Sequence, residues 1–340
     1  MKYDVIVVGS GSAGAALATR LSEDPHRSIL LLEAGPDYPE LDHLPDEVKF
    51  GYATASDIMT SDHNWQFTGR ATDKAEPMLV PRGKVTGGSS AINGQMFIRG
   101  IPEDYDAWAS LGNDEWTFEK LLPFFRKLET DTDFHDDFHG TDGPIIARRF
   151  KPEEWLQAQT AFHNACTARG FPQALDLNDP DSTGVSPTPY NNPNGIRWST
   201  ALGYLSMARH RVNFTIRPNC MTHRVLFDGK RATGVEVESG GERFTVDGEE
   251  IVLSTGAIGS PQLLMLSGVG PADHLQSLGI PVVAGLPGVG QNLRDHPIVY
   301  VTWRTREGFP LDGMAPRMQL CLRYTAGGSH LRNDIKVSMA

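Results

Sequence analysis

The chain has 340 residues, 39% hydrophobic and 21% charged, which is long enough for two domains and typical of a globular protein rather than a disordered or fibrous one. Its formal net charge of −11 opposes polyphosphate backbones and excludes nucleic acid as a partner. No apolar run approaches the roughly 20 residues that span a bilayer, so no transmembrane segment is predicted.

The first strand is predicted from Tyr3 to Val8, an apolar run bounded by Gly9, as expected of a parallel strand buried on both faces. It starts too early for a signal peptide, so a cytoplasmic location is the default expectation. Ser12 to Ser22 follows with Ala13, Ala16, Leu17 and Leu21 at helical spacing, and Asp24-Pro25 ends it. Ser28 to Glu33 is the second strand, completing a βαβ unit and fixing the fold class as α/β.

Between strand and helix lies Gly9-Ser10-Gly11-Ser12-Ala13-Gly14, a GxGxxG run in the context that gives it meaning. Gly9 suits a tight turn, Gly11 admits a pyrophosphate close to the backbone, and Gly14 lets helix and strand pack closely. The free N–H groups of the helix start, Ser12 and Ala13 among them, face the anion. Glu33 stands 19 residues after Gly14, followed by Ala34, where a carboxylate can accept ribose hydroxyls. This pattern predicts an adenine dinucleotide and argues against a 2′-phosphate; it does not separate FAD from NAD.

From Pro36 to Pro81 periodicity is lost and long loops are predicted, of the kind that usually carries function. Asp104 to Leu111 and Phe118 to Glu129 read as helices, and His135 to Gly143 as a polar break. Between Asn213 and Ser254 four short alternating runs are separated by Asp228-Gly229, Gly240-Gly241 and Asp247-Gly248, predicting three meander strands and a return strand, Ile251 to Leu253. Ser260-Pro261 then opens a short helix that Gly268 closes.

Two stretches go beyond the opening fingerprint. One runs from Arg82-Gly83 through Gly87-Gly88-Ser89-Ser90 to Asn93-Gly94, and on through Met96 to Gly100; its small side chains and free N–H groups suit a flat cofactor and its phosphates. The other runs from Gly256 to Gly270, at the exit of the return strand. Together they resemble the two signatures of the glucose-methanol-choline (GMC) oxidoreductases, across essentially the whole chain, with Thr86 standing where that family more often has an aliphatic residue.

The resemblance implies an FAD-binding Rossmann-like domain (βαβ plus β-meander) at 1–155 and 196–300, and an incomplete α+β substrate domain at 156–195 and 301–340. It implies FAD as cofactor, with Gly9, Gly11, Ser12, Ala13, Gly14, Glu33, Ala34, Arg82, Gly83, Gly87, Gly88, Ser89, Ser90, Asn93, Gly94, Met96 and Gly256 around it. Relatives that attach FAD covalently use a histidine where this chain has Ile92, so the cofactor should be non-covalent. The implied reaction oxidises the CH–OH group of a small alcohol of the choline-dehydrogenase type, with oxygen or another acceptor reoxidising the flavin.

The histidine base of that reaction belongs, by the same resemblance, to a His-Pro-x-Gly-Thr segment that none of the 11 histidines here occupies. His296, between Asp295 and Pro297, reads as a structural hydrogen-bonding group. The catalytic residues are thus expected beyond Ala340, with Asn333 to Ala340 reading as the start of a strand in a truncated chain. The alternative is a catalytically silent FAD-binding module. An NAD-dependent dehydrogenase explains neither signature, and a flavin disulfide reductase needs a cysteine pair that Cys166, Cys220 and Cys321 do not supply. These cysteines, far apart and at no metal-ligand spacing, read as buried small hydrophobes in a reducing compartment.

Overall fold

In the computed structural model, residues 2–51, 57–304, 306–308 and 318–339 are described. The chain divides into two compact units: Met1–Val48, Ser56–Ile92 and Thr200–Asp312 form the first, and Lys49–Ala55, Asn93–Ser199 and Gly313–Ala340 the second. Residues 93–155, grouped by the sequence reading with the cofactor domain, cluster with the second unit. Within the expected loop region 36–81 and the expected second-domain segment 301–340, residues 52–56, 305, 309–317 and 340 lie outside the described residues.

The first unit is built on six strands: β1 (Lys2–Val8), β2 (Ile29–Leu32), β3 (Phe214–Arg217), β4 (Cys220–Asp228), β5 (Arg231–Ser239) and β6 (Glu242–Leu253). Their order across the sheet is β3-β2-β1-β6-β5-β4. β1, β2 and β3 run parallel, with Val5 opposite Ile29 and Ile29 opposite Phe214.

Because side chains alternate across a strand, β1 and β2 feed two cores at once. Val5, Val7, Ile29 and Leu31 pack with Ala15 and Ala18 of helix α1 (Ser12–Leu21) and with Leu205 and Phe214. Ile6, Val8, Leu30 and Leu32 pack on the other face against Val225, Val235, Val237 and Leu263. Burial on both faces explains the unbroken apolar runs, each fully buried Val or Leu stabilising the fold by about 1.5–3 kcal/mol.

Three sequence expectations need correction. The third meander strand and the return strand are one strand, β6, which pairs antiparallel with β5 over Glu242–Asp247 and parallel with β1 from Asp247 to Leu253. Asp247-Gly248 is therefore no turn; Gly248 is small because a Cβ there would lie 2.8 Å from Ile6 Cδ1. Conversely, the first alternating run is two strands. Pro218 and the left-handed Asn219 (φ 50°) break it, so that β3 joins β2 in parallel while β4 begins the antiparallel half. The helix expected to open at Ser260, α2, spans Gly256–Leu266 and starts four residues before Ser260, with Pro261 inside it.

In the second unit a three-stranded antiparallel sheet places Leu320–Tyr324 between Gly184–Pro187 and Ile335–Ser338. Cys166 of the helix Gln157–Ala168 packs on Val185 and Leu322 of that sheet. The strand expected near the end of the chain is thus present at Ile335–Ser338, and among the described residues it pairs on one side only. The expected polar break at His135 to Gly143 holds no helix or strand, but His139 within it is buried beside the carboxylates of Asp136 and Asp176.

Candidate functional site

The first unit holds a cavity of about 680 Å³, within the roughly 300–1,000 Å³ of cofactor pockets, at the carboxyl ends of β1 and β2. Its floor is the glycine loop. Gly9 turns at φ 95°, and a Cβ on it would come within 2.7 Å of the Ser254 carbonyl oxygen. A Cβ on Gly14 would lie 1.9 Å from the Gly9 carbonyl oxygen, so Gly14 sets the close packing of α1 on the turn. Gly11 is different: the nearest atom to its added Cβ is Gly88 Cα at 3.9 Å, which leaves its backbone open to the cavity. Ser12 and Ala13, in the first turn of α1, line the cavity beside it. The first N–H groups of a helix lack intrahelical partners and carry its positive end, which suits a pyrophosphate.

Glu33 follows β2, lines the cavity and is 5% exposed. One carboxylate oxygen accepts the Ser10 N–H at 3.0 Å and the Ser10 hydroxyl at 2.7 Å; the other accepts the Gly35 N–H at 2.9 Å. Burial nevertheless holds this carboxyl above its usual range, against those hydrogen bonds. Glu33 therefore braces the glycine loop, and about one of the roughly four acceptor positions of a carboxylate remains for a hydroxyl.

The second wall is the loop 82–91. Arg82, Gly83, Gly88 and Ser89 line the cavity, and the Ser89 hydroxyl accepts the Gly83 N–H at 3.1 Å. Gly87 and Ser90 lie behind it. The Gly87 N–H bonds the Ser10 carbonyl at 3.0 Å, and the Ser90 hydroxyl donates to the Gly87 carbonyl at 2.6 Å while accepting the Thr200 N–H at 3.0 Å. Ile92 is buried with Val48, Ile58, Val85 and Ala91.

Of the sequence-predicted residues, Gly9, Gly11, Ser12, Ala13, Glu33, Ala34, Arg82, Gly83, Gly88, Ser89 and Gly256 converge on this cavity. Gly14, Gly87 and Ser90 support it from behind. Asn93, Gly94 and Met96 fall in the second unit and are not among the lining residues. There Asn93 accepts the Arg197 Nε–H through its carbonyl, and Met96 bridges to Tyr190. His296 is exposed, and its backbone N–H donates to Asp295 at 2.8 Å.

Sequence reasoning missed Trp65 and Phe67, whose rings stack 5.7 Å apart at 5° on the cavity wall. It also missed Cys220 to His223 at the start of β4, and all of the α2 entrance except Gly256. Trp65 and Phe67 sit in the region set aside as functional loops, where no periodic spacing singles them out. The start of β4 was legible in principle, because Cys220 follows the Pro-Asn break and its N–H bonds the Glu33 carbonyl.

These residues fit a flavin dinucleotide: a helix start open to phosphates, a buried carboxylate with acceptor capacity, and a wall of glycine and aromatic groups. The family model described as GMC oxidoreductase matches residues 3–298. Oxygen-dependent choline dehydrogenase of Burkholderia vietnamiensis is 43% identical over 316 residues, which cover 90% of this chain and 54% of that protein. Pyridoxine 4-oxidase from Mesorbium loti superposes with a TM-score of 0.78 at 32% identity, covering 84% of this chain and 55% of that one. An FAD-dependent oxidoreductase from Chaetomium thermophilum gives a TM-score of 0.76 at 31% identity, covering 84% and 51%. The chain therefore spans about half the length of the relatives it matches.

Proposed function

The chain belongs to the GMC oxidoreductase family, its cofactor is FAD, and from that premise we propose that it is the cofactor-binding part of an enzyme oxidising the CH–OH group of a small choline-like alcohol. The observation that supports this reading is the convergence of the glycine loop, Glu33 and the loop 82–91 on one cavity. In this reading the α1 start and Gly11 receive the pyrophosphate, Glu33 receives a ribose hydroxyl, and Arg82 to Ser89 line the flavin side. FAD, when bound, supplies the acceptor for the hydride of the alcohol carbon.

The cofactor is held without a covalent bond, since Ile92 offers no nucleophile and is packed in an apolar cluster. The base that takes the hydroxyl proton lies in the half of the relatives that this chain does not span, so the 340 residues alone bind FAD without turnover. We place the protein in the cytoplasm: its three cysteines are free and buried, as suits a reducing compartment, and among the described residues no helix is long and apolar enough to cross a membrane.

The test is the visible spectrum of the purified chain, followed by heat denaturation and chromatography of the supernatant. Released FAD supports the reading, while NAD or no nucleotide overturns it. Steady-state assays with choline, following oxygen uptake and reduction of an artificial dye in parallel, then separate an active enzyme from a silent FAD module and oxygen from other acceptors.

A further inference from the structure

The second unit contains a buried ionic cluster that the cofactor reading does not use. Glu129 and Asp131, on the strand Glu129–Asp131, and Asp176 are at most 4% exposed; Arg99, Arg149 and His139 are at most 8% exposed. Arg99 pairs with Glu129 at 2.5 Å, and Arg149 donates to both Asp131 oxygens and, through Nε, to Asp176 at 2.7 Å. Glu129, Asp131 and His139 offer ligand atoms within 4.8 Å of one another, but these guanidinium groups already occupy the carboxylates and oppose a bound cation.

His139 completes the set. Its Nδ1 lies 2.7 Å from Asp136 and its Nε2 lies 3.1 Å from Asp176 and 3.8 Å from Asp131. A neutral imidazole has one N–H and one lone pair, so it would turn a lone pair toward a carboxylate; only the imidazolium donates on both sides. Charge counting agrees, because three buried carboxylates face two guanidinium groups and His139 supplies the third positive charge. The Phe134 ring stacks on His139 at 5.4 Å and lies under Arg149 at 4.6 Å, closing the pair from water.

We propose that His139 is a pH-operated latch: as an imidazolium between Asp136 and Asp176 it fastens the loop Asp133–Gly140 to the Asp176 segment, and its deprotonation releases that loop. The latch also reaches Arg99, which donates to the Phe138 carbonyl at 2.8 Å and whose backbone N–H bonds Asn178 at 2.9 Å. Of the remaining charged groups, Asp133 is held by Lys151, and the Glu129 carboxyl is pushed up by burial despite Arg99.

Burial alone pushes the imidazole down, but the hydrogen bonds to Asp176 and Asp136 and the Asp131 charge outweigh it, so the net direction is up. A raised folded-state value means that the stabilisation is complete below the unfolded value of about 6.5 and is lost as pH rises through the folded one. The switch therefore opens on the alkaline side.

The test is nuclear magnetic resonance of the 340-residue chain with labelled histidine, combined with hydrogen exchange of residues 133–140 corrected for intrinsic rates. We expect both His139 nitrogens to be protonated at about pH 7. Between about pH 6.5 and the folded pKa, protection of the loop should fall by about tenfold per pH unit, in total by about tenfold for each unit by which that pKa is raised, and it should level off above the folded pKa. His139→Gln should remove the pH dependence of the loop, and if that variant does not fold, the titration of the unsubstituted chain decides alone. A neutral tautomer at that pH, or loop protection that does not change with pH, overturns the proposal.

Discussion

The backbones of Gly11 and Gly88 abut, so that a methyl group built on Gly88 would lie 2.6 Å from the Gly11 Cα. Two loops far apart in sequence, the opening fingerprint and the first signature, thus meet glycine to glycine at the edge of the cofactor cavity.

Gly88→Ala should therefore cost more than its size suggests. The residue sits at φ 53°, where a Cβ costs about 1–2 kcal/mol, and the added methyl must push the Gly11 loop aside. The expected outcome is a chain that folds but purifies with much less FAD per polypeptide, read from the flavin absorbance. Gly327→Ala, where an added Cβ meets nothing within 4 Å, should leave the ratio unchanged.

Glu33→Gln replaces an acceptor-only carboxylate with an amide that turns N–H groups toward existing donors. The Ser10 and Gly35 N–H groups lose acceptor capacity, at roughly 1–3 kcal/mol for a buried donor left unpaired. Thermal unfolding of the cofactor-free chain should show this loss. If Glu33 served only the cofactor, stability without FAD would not change.

The opening βαβ unit was legible because GxGxxG between a strand and a helix has one physical use, and Gly9 and Gly14 occupy positions that admit no Cβ. The course of β6 was not. Asp-Gly is a strong local turn signal, but the tertiary demand for a small residue against Ile6 produces the same dipeptide in mid-strand. The ionic cluster was hidden for a related reason: Asp131, His139, Arg149 and Asp176 are scattered in sequence and look like solvated polar residues until the fold buries them together.

Gly248→Val tests that account of β6. The larger side chain would collide with Ile6 and Ile251, whose nearest atoms lie 2.8 Å and 3.0 Å from a Cβ. Overpacking of this kind typically destabilises by about 1–3 kcal/mol, visible as a lower denaturation midpoint. A surface turn at this position would accept valine with little change.

Cys220 belongs to both the sheet core and the cofactor cavity: it is 1% exposed, packs with Val225 and Val235 and borders the cavity. Burial pushes its thiol up, more than the nearby Arg217 charge lowers it, and burial likewise raises Cys166 and Cys321. Disulfide exchange needs an accessible thiolate, so all three should be silent in the folded chain. Titration with an aromatic disulfide reagent should count none before denaturation and 3 after it. One rapidly reacting thiol in the cofactor-free chain that FAD protects would mean that the Cys220 Sγ is reached through the cavity, against its 1% exposure.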